Sequence, residues 1–256
     1  MAALATATTD KYLLDKATGI ARGVRRLTIK EVIADKIGAL IASGVLSKGD
    51  EIPSERELAA AMSVSRESVR AAIQILAAKG VLEVTQGTRT RVATTDLAGM
   101  EIAITNRLNV DSYDVDAVHE ARLLIEQQVV GDAAEHISDE ALERLQRSYD
   151  TQRECRRDPV KFLICDREFH VTIYRACPNP LLADIVTDLY TYMMDHRRRA
   201  VSIPGAIDNS IADHAAILDA LQGHDRKKAK AAFAIHEERI YVTTRTLLQK
   251  FGPRKK

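Results

Sequence analysis

Apolar residues recur at helical spacing along most of this chain, and only one short region departs from that rhythm. Ile29, Val32, Ile33, Ile37, Leu40 and Ile41 share one face of a helix predicted over 28–43, which Gly44 stops. Ser54 and Glu57 stand three apart just ahead of Leu58, a capping box that opens a second helix. Met62-Ser63-Val64 reads as a turn. Ser65 then caps a third helix with Val69, Ala72, Ile73 and Leu76 on one face and Gly80 at its end. Val81 to Val84 and Thr90 to Ala93 alternate instead, with Gln86-Gly87-Thr88-Arg89 between them, so they predict a small hairpin.

Two short helices joined by a tight turn and followed by a hairpin make the layout of a winged helix-turn-helix, predicted over 27–93. Residues 1–26 read as a flexible arm and 94–112 as a linker. Beyond it the helical rhythm resumes, predicting helices near 114–136, 139–156, 159–176, 180–200, 208–222 and 226–250. Asp158-Pro159 supplies a cap with a first-turn proline, and Asn179-Pro180 and Ile203-Pro204-Gly205 supply breaks. Hardly any of this stretch alternates with period two. The expected fold class is therefore mainly α, with the winged helix-turn-helix followed by an all-helical antiparallel bundle over 113–250 and a basic tail at 251–256.

Composition narrows the function classes. No apolar run approaches the roughly 18 residues that cross a bilayer, and the N-terminus lacks the basic-then-apolar layout of an export signal. Cys155, Cys165 and Cys177 form no CxxC pair, and an odd count suits a reducing cytosol, so a cytoplasmic protein is expected. The net charge of +1 conceals an asymmetry: residues 22–93 hold 12 basic against 8 acidic side chains, whereas 94–256 hold 23 against 26. A basic module beside an acidic one fits nucleic-acid binding by the first part alone.

A helix that enters the major groove needs long donors on its outward face. Arg66 and Arg70 lie four apart at the start of the third helix, and an arginine can grip guanine O6 and N7 with two hydrogen bonds. Arg56 near the start of the second helix could reach a base or a phosphate. Ser54, Ser65 and Ser68 are short donors at helix N-termini, where phosphates are favoured, and Thr88, Arg89 and Arg91 would set the wing against the DNA backbone or minor groove. Ordinary solvated arginines are the alternative, and the ordered combination of helices, caps and wing argues against it.

This segment resembles the DNA-binding domain of the GntR family of bacterial transcription regulators. The resemblance is carried by Pro53-Ser54-Glu55-Arg56-Glu57-Leu58-Ala59, Val64-Ser65-Arg66, Ser68-Val69-Arg70, Ala72, Leu76, Gly80 and Gly87. It implies that Arg56, Arg66 and Arg70 touch bases while the wing supports them. One departure stands in the wing, Gly87-Thr88-Arg89-Thr90-Arg91-Val92, where arginines replace a second glycine and an aromatic residue.

All seven histidines lie beyond residue 112. Asp166 and His170 stand at i and i+4 on one predicted helix, and His214 and His236 fall on two others. Bundles build metal sites from facing helices in this way, although an ordinary hydrogen-bonded histidine is the alternative for each. Three imidazoles and a carboxylate suit zinc, nickel, iron, cobalt or manganese, and the residue types do not choose among them. His119, His136, His196 and His224 keep the ordinary reading.

Residues 113–250 resemble the helical effector domain of FadR-type GntR regulators, the FCD domain. The matching pieces are Glu120-Ala121-Arg122-Leu123-Leu124-Ile125-Glu126, Asp166-Arg167-Glu168-Phe169-His170, the run from Asp213 to Leu221, and His236. The family's Asp-x3-His motif with two distant histidines implies a divalent metal ion on Asp166, His170, His214 and His236. Six predicted helices instead of seven point to the VanR-like group. A metal with open positions would attract a small carboxylate metabolite. Arg122 would then clamp it with two hydrogen bonds, the alternative being an ion pair with Glu126; Tyr192 and Arg198 are further pocket candidates. The whole reads as a cytoplasmic homodimeric regulator, expected to repress, on a near-palindromic duplex operator. A metal-sensing regulator is the second reading. A metalloenzyme fused to a DNA-binding domain is the third, disfavoured because neither HExxH nor GxSxG is present.

Overall fold

A computed structural model describes residues 27–85, 89–97 and 114–251. The expected arm (1–26), the tip of the wing with Thr88, most of the expected linker and the basic tail from 252 onward lie outside the described residues.

The N-terminal unit consists of α1 (Ile29–Ala42), α2 (Glu55–Met62), α3 (Arg66–Ala78), β1 (Leu82–Glu83) and β2 (Arg91–Val92). Its local signals are those the sequence shows. Ser54 Oγ accepts from the amide of Glu57, while the Glu57 carboxylate accepts from Ser54, closing the capping box. Ser65 Oγ accepts from the amide of Ser68 at 3.1 Å and so starts α3. Gly44 and Gly80 have φ of +76° and +73°, left-handed turns that follow α1 and α3 and suit glycine. The two strands pair antiparallel, Leu82 with Val92 and Glu83 with Arg91. Glu51 adds a bridge to Arg91, a pairing that two or three residues of loop do not announce by periodicity. Ile33, Ile37, Leu46, Val69, Ile73 and Leu76 fill the core of this unit.

The second unit holds α4 (Val115–His136), α5 (Asp139–Glu154), α6 (Pro159–Arg175), α7 (Pro180–Tyr192), α8 (Met194–Ala200), α9 (Ala206–Gln222) and α10 (Arg226–Phe251). The helix expected over 180–200 is in fact two. Met193, at φ −77° and ψ 1°, leaves helical geometry and separates α7 from α8. No proline or glycine marks the break, so the sequence rhythm ran straight through it. With seven helices among the described residues, the count that pointed to the VanR-like group no longer does so. α4 packs on α10, α5 on α6, and α9 on α5 and α10. Leu145, Leu163, Phe169, Val186, Ile217 and Phe233 lie in the core they enclose. No helix among the described residues is long and apolar enough to cross a membrane.

The two units pack directly together. Val45, from the loop after α1, is fully buried in the core of the helical unit. Val160 and Ile164 of α6 pack against the core of the N-terminal unit. Lys161 Nζ meets Glu57 Oε1 at 2.7 Å. Arg198 donates to Val45 O at 2.7 Å and pairs with Asp50 Oδ2 at 2.8 Å.

Candidate metal centre and nucleic-acid interface

Arg56 of α2 and Arg66 of α3 are exposed, and neither has a hydrogen bond or ion pair among the described residues. Arg70 is exposed but engaged. Its Nε and Nη2 donate to the two carboxylate oxygens of Glu55 at 3.0 and 2.7 Å, and this pairing holds Glu55 below its ordinary pKa. For Arg70 to grip a base it must release or share Glu55. Arg91 pairs with Glu51 and donates to Gly49 O, and Arg89 Nε faces the same carboxylate at 3.7 Å. Ser54, Ser65 and Ser68 lie at the helix starts as expected, with the Ser54 hydroxyl already occupied by Glu57 and those of Ser65 and Ser68 bonded to each other at 2.9 Å.

The histidines expected to converge do so. His170 of α6, His214 of α9 and His236 of α10 are fully buried, and one ring nitrogen from each lies within 4.8 Å of the others. His170 Nε2 and His236 Nε2 are 3.3 Å apart. Asp166, one turn before His170, stands beside the trio, with Oδ1 at 3.5 Å from His214 Nε2 and 3.8 Å from His170 Nε2.

The other ring nitrogens explain which lone pairs face inward. His214 Nδ1 meets Gln152 Oε1 at 2.6 Å, while the Gln152 amide nitrogen donates to Cys165 O. The amide oxygen can only accept, so Nδ1 of His214 carries the proton and Nε2 keeps its lone pair. Tyr174 donates its hydroxyl to Glu126 Oε1 and leaves its oxygen as the acceptor for His170 Nδ1 at 3.4 Å. His236 Nδ1 faces Asp213 Oδ2 at 3.5 Å. His170 and His214 therefore aim Nε2 lone pairs at one point, where an Asp166 oxygen also arrives, and His236 Nε2 meets them there, 3.3 Å from His170 Nε2. His214 Nε2 has no hydrogen-bond partner among the described residues. An imidazole lone pair left without a donor is costly in a dry interior, and a cation at this point would satisfy it by coordination. The donor set fits a divalent metal ion. Burial, and after it the charge of Arg197, holds the His170 pKa well below its ordinary value; burial takes His214 down to about 3. Both imidazoles are neutral at pH 7, the form that ligates. For Asp166, burial works upward, but the Arg197 guanidinium and the Tyr190 hydroxyl outweigh it and keep the carboxylate ionised.

Arg197 is the residue sequence reading missed. Its Nη1 donates to Asp166 Oδ2 at 2.8 Å, its Nη2 lies 3.5 Å from Glu237 Oε1, and it stacks over the Tyr190 ring at 4.3 Å. It sits in the run Arg197-Arg198-Arg199, and its inward register with Met194 and Ala200 on α8 becomes visible once α8 is known to be a separate helix. Beside it opens a cavity of about 110 Å³, whose polar lining comes from Asp166, Arg197, Asn209, Ser210, Arg239 and Thr243. Arg239 also binds Asp213 through two hydrogen bonds.

The three expected effector residues stand elsewhere. Arg122 is 2% exposed and enclosed by Glu126 and Glu237, so the ion pair with Glu126 is the arrangement found. Tyr192 is half-buried at the end of α7, packed against the Val118, Leu189 and Met193 cluster, and does not line the cavity. Arg198 points to the N-terminal unit instead of the cavity, because it lies about 100° around α8 from Arg197.

Two family models match this chain: "Bacterial regulatory proteins, gntR family" over residues 29–92 and "FCD domain" over residues 117–239. The chain is 30% identical over 245 residues to the HTH-type transcriptional repressor NanR of Cronobacter sakazakii, covering 91% of this chain and 92% of that protein. It is 27% identical over 256 residues to the protein of the same name in Salmonella newport, covering 94% and 96%. Among solved structures, E. coli McbR/YncC superposes with a TM-score of 0.50 at 17% identity, covering 88% of this chain and 100% of that one, a likeness of fold.

Proposed function

Because the chain belongs to the GntR family of bacterial regulatory proteins and carries its FCD domain, a class of transcription regulators and not of enzymes, we propose that it is a metal-containing, effector-responsive repressor. Asp166, His170, His214 and His236 hold a divalent ion, zinc before nickel, iron, cobalt or manganese. The observation that carries this reading is the convergence of three buried imidazoles beside Asp166, two of them with Nδ1 hydrogen-bonded so that Nε2 faces inward. When bound, the ion supplies Lewis acidity and a positive field to the adjoining cavity. A small organic acid fits that cavity by size and charge. Arg197 and Arg239 would meet its carboxylate, Asn209, Ser210 and Thr243 would bond its polar groups, and Arg122 would act from behind by holding Glu237 beside Arg197.

On the DNA side, α3 enters the major groove with Arg66 leading and Arg70 following as Glu55 yields. Arg56 reaches the flank, and Ser54, Ser65, Ser68 and the wing residues Thr88, Arg89 and Arg91 meet phosphates. A cytoplasmic homodimer on two half-sites of a near-palindromic duplex follows from one recognition helix per chain. The effector changes operator affinity only if it binds the DNA-competent and incompetent states unequally. Selection from genomic fragments, then footprinting with and without a panel of small organic acids, tests the proposal. Two protected half-sites about one helical turn apart, and a shift in affinity with one acid, are expected; failure to retain any duplex at low ionic strength refutes it.

A further inference from the structure

Arg197 and Arg198 are consecutive residues of the seven-residue α8, yet they hold opposite things. Arg197 grips Asp166 at the histidine cluster. Arg198 grips Asp50 and the carbonyl of Val45 in the DNA-binding unit. From there the contacts run on to the wing. Asp50 O accepts from the amide of Val92 at 3.0 Å, Gly49 N donates to Val92 O at 2.8 Å, and Ile52 N donates to Thr90 O at 3.0 Å. The next residue, Glu51, holds Arg91.

α8 is also set off from its neighbouring helices at both ends. Met193 breaks it from α7, and the turn at Gly205, with φ of +82°, separates it from α9. Its inner anchor is sensitive to charge: Arg197 shares the Asp166 carboxylate, whose other oxygen faces two of the three imidazoles. A divalent cation held there would draw charge from Asp166 and repel the guanidinium, for which Glu237, 3.5 Å away, offers the other carboxylate.

Resting on the metal reading above, we propose that Arg198 is a positioning residue that couples occupancy of the histidine cluster to the wing, through displacement of Arg197 and α8. The signal is carried by two adjacent side chains on a short helix, with no need for a rearranged bundle.

The test uses the full-length protein stripped with a chelator and then given zinc chloride. Calorimetry records zinc binding, and hydrogen exchange follows the amides of Gly49, Ile52 and Val92. In the natural sequence zinc should quicken their exchange severalfold as Arg198 loosens. In Arg198→Ala the same amides should exchange fast from the start and not respond, and zinc should bind severalfold more tightly because no contact has to loosen. Arg198→Lys, which keeps a charge for Asp50, should restore part of the response and covers the case in which the alanine variant fails to fold. The coupling is overturned if zinc binds and these amides keep their rates, or if Arg198→Ala responds as the natural sequence does. If calorimetry shows no zinc binding at all, the metal reading falls and the coupling falls with it.

Discussion

Gln152 is the residue whose removal most sharply separates an organised metal centre from three histidines that merely pack together. It is fully buried on α5, and its amide oxygen lies 2.6 Å from His214 Nδ1. Gln152→Leu keeps the volume and removes the acceptor. Cys165 O keeps its shorter bond from Ser148 at 2.9 Å, so the loss falls on His214 alone. Two consequences can be sized. Losing the partner that orients a ligating imidazole typically weakens metal binding about 10- to 100-fold, or about 1.4–2.8 kcal/mol at about 1.4 kcal/mol per decade. Leaving the buried Nδ1–H unpaired costs the metal-free protein about 1–3 kcal/mol, partly offset by the apolar side chain. In a protein of this length that is a fall in Tm of about 2–4 °C per kcal/mol. Competition calorimetry with zinc gives the first quantity and thermal melting with chelator the second. Gln152→Glu, which retains an acceptor, should bind zinc at least about ten times more tightly than the leucine variant. Equal zinc affinity in the natural and leucine forms would refute the reasoning, because His214 would then not depend on its Nδ1 contact.

Arg66→Ala should weaken operator binding by about 1–3 kcal/mol and move the melting point little, since the side chain is exposed and bonded to nothing among the described residues; fluorescence anisotropy and melting read the two. Leu145→Ala should cost about 2–5 kcal/mol, read by urea unfolding, because Leu145 is fully enclosed in the helical core. The Glu57–Lys161 contact should make the packing of the two units acid-sensitive. The hydrogen bond from Lys161, then those from Ser54, lower the Glu57 pKa from 4.5 to about 2. Its contribution is therefore complete above pH 4.5 and fades as pH falls towards 2. Lys161→Ala should flatten that part of the stability profile between the two values, as followed by chemical unfolding across pH.

Much of this fold was legible because the signals are local. Ser54 with Glu57, Ser65, Gly44 and Gly80 act on backbone within three or four residues of themselves, and they place α1, α2 and α3. The metal cluster was legible for a different reason. Asp166 and His170 share a helical face, and His214 and His236 lie on helices that the bundle must pack together. What stayed hidden depends on register between elements. Whether Arg197, Arg198 or Arg199 faces inward turns on the break at Met193, which has no proline or glycine to announce it. Gln152 lies on the same buried stripe as Leu145 and Ser148, where a polar residue is a visible anomaly, but its partner lies 62 residues away. Arg122 shows the converse: its spacing to Glu126 was plain, yet only the position of Glu237 on α10 decides that the guanidinium is enclosed by carboxylates.

The most direct measurement is anomalous diffraction from crystals of the protein as purified. One peak is expected, about 2.0–2.1 Å from Nε2 of His170, His214 and His236 if the ion is zinc, with Asp166 Oδ1 beside it. Ligation through any Nδ1, or crystals in which this cluster shows no anomalous density even after soaking with zinc, nickel or cobalt, would contradict the account.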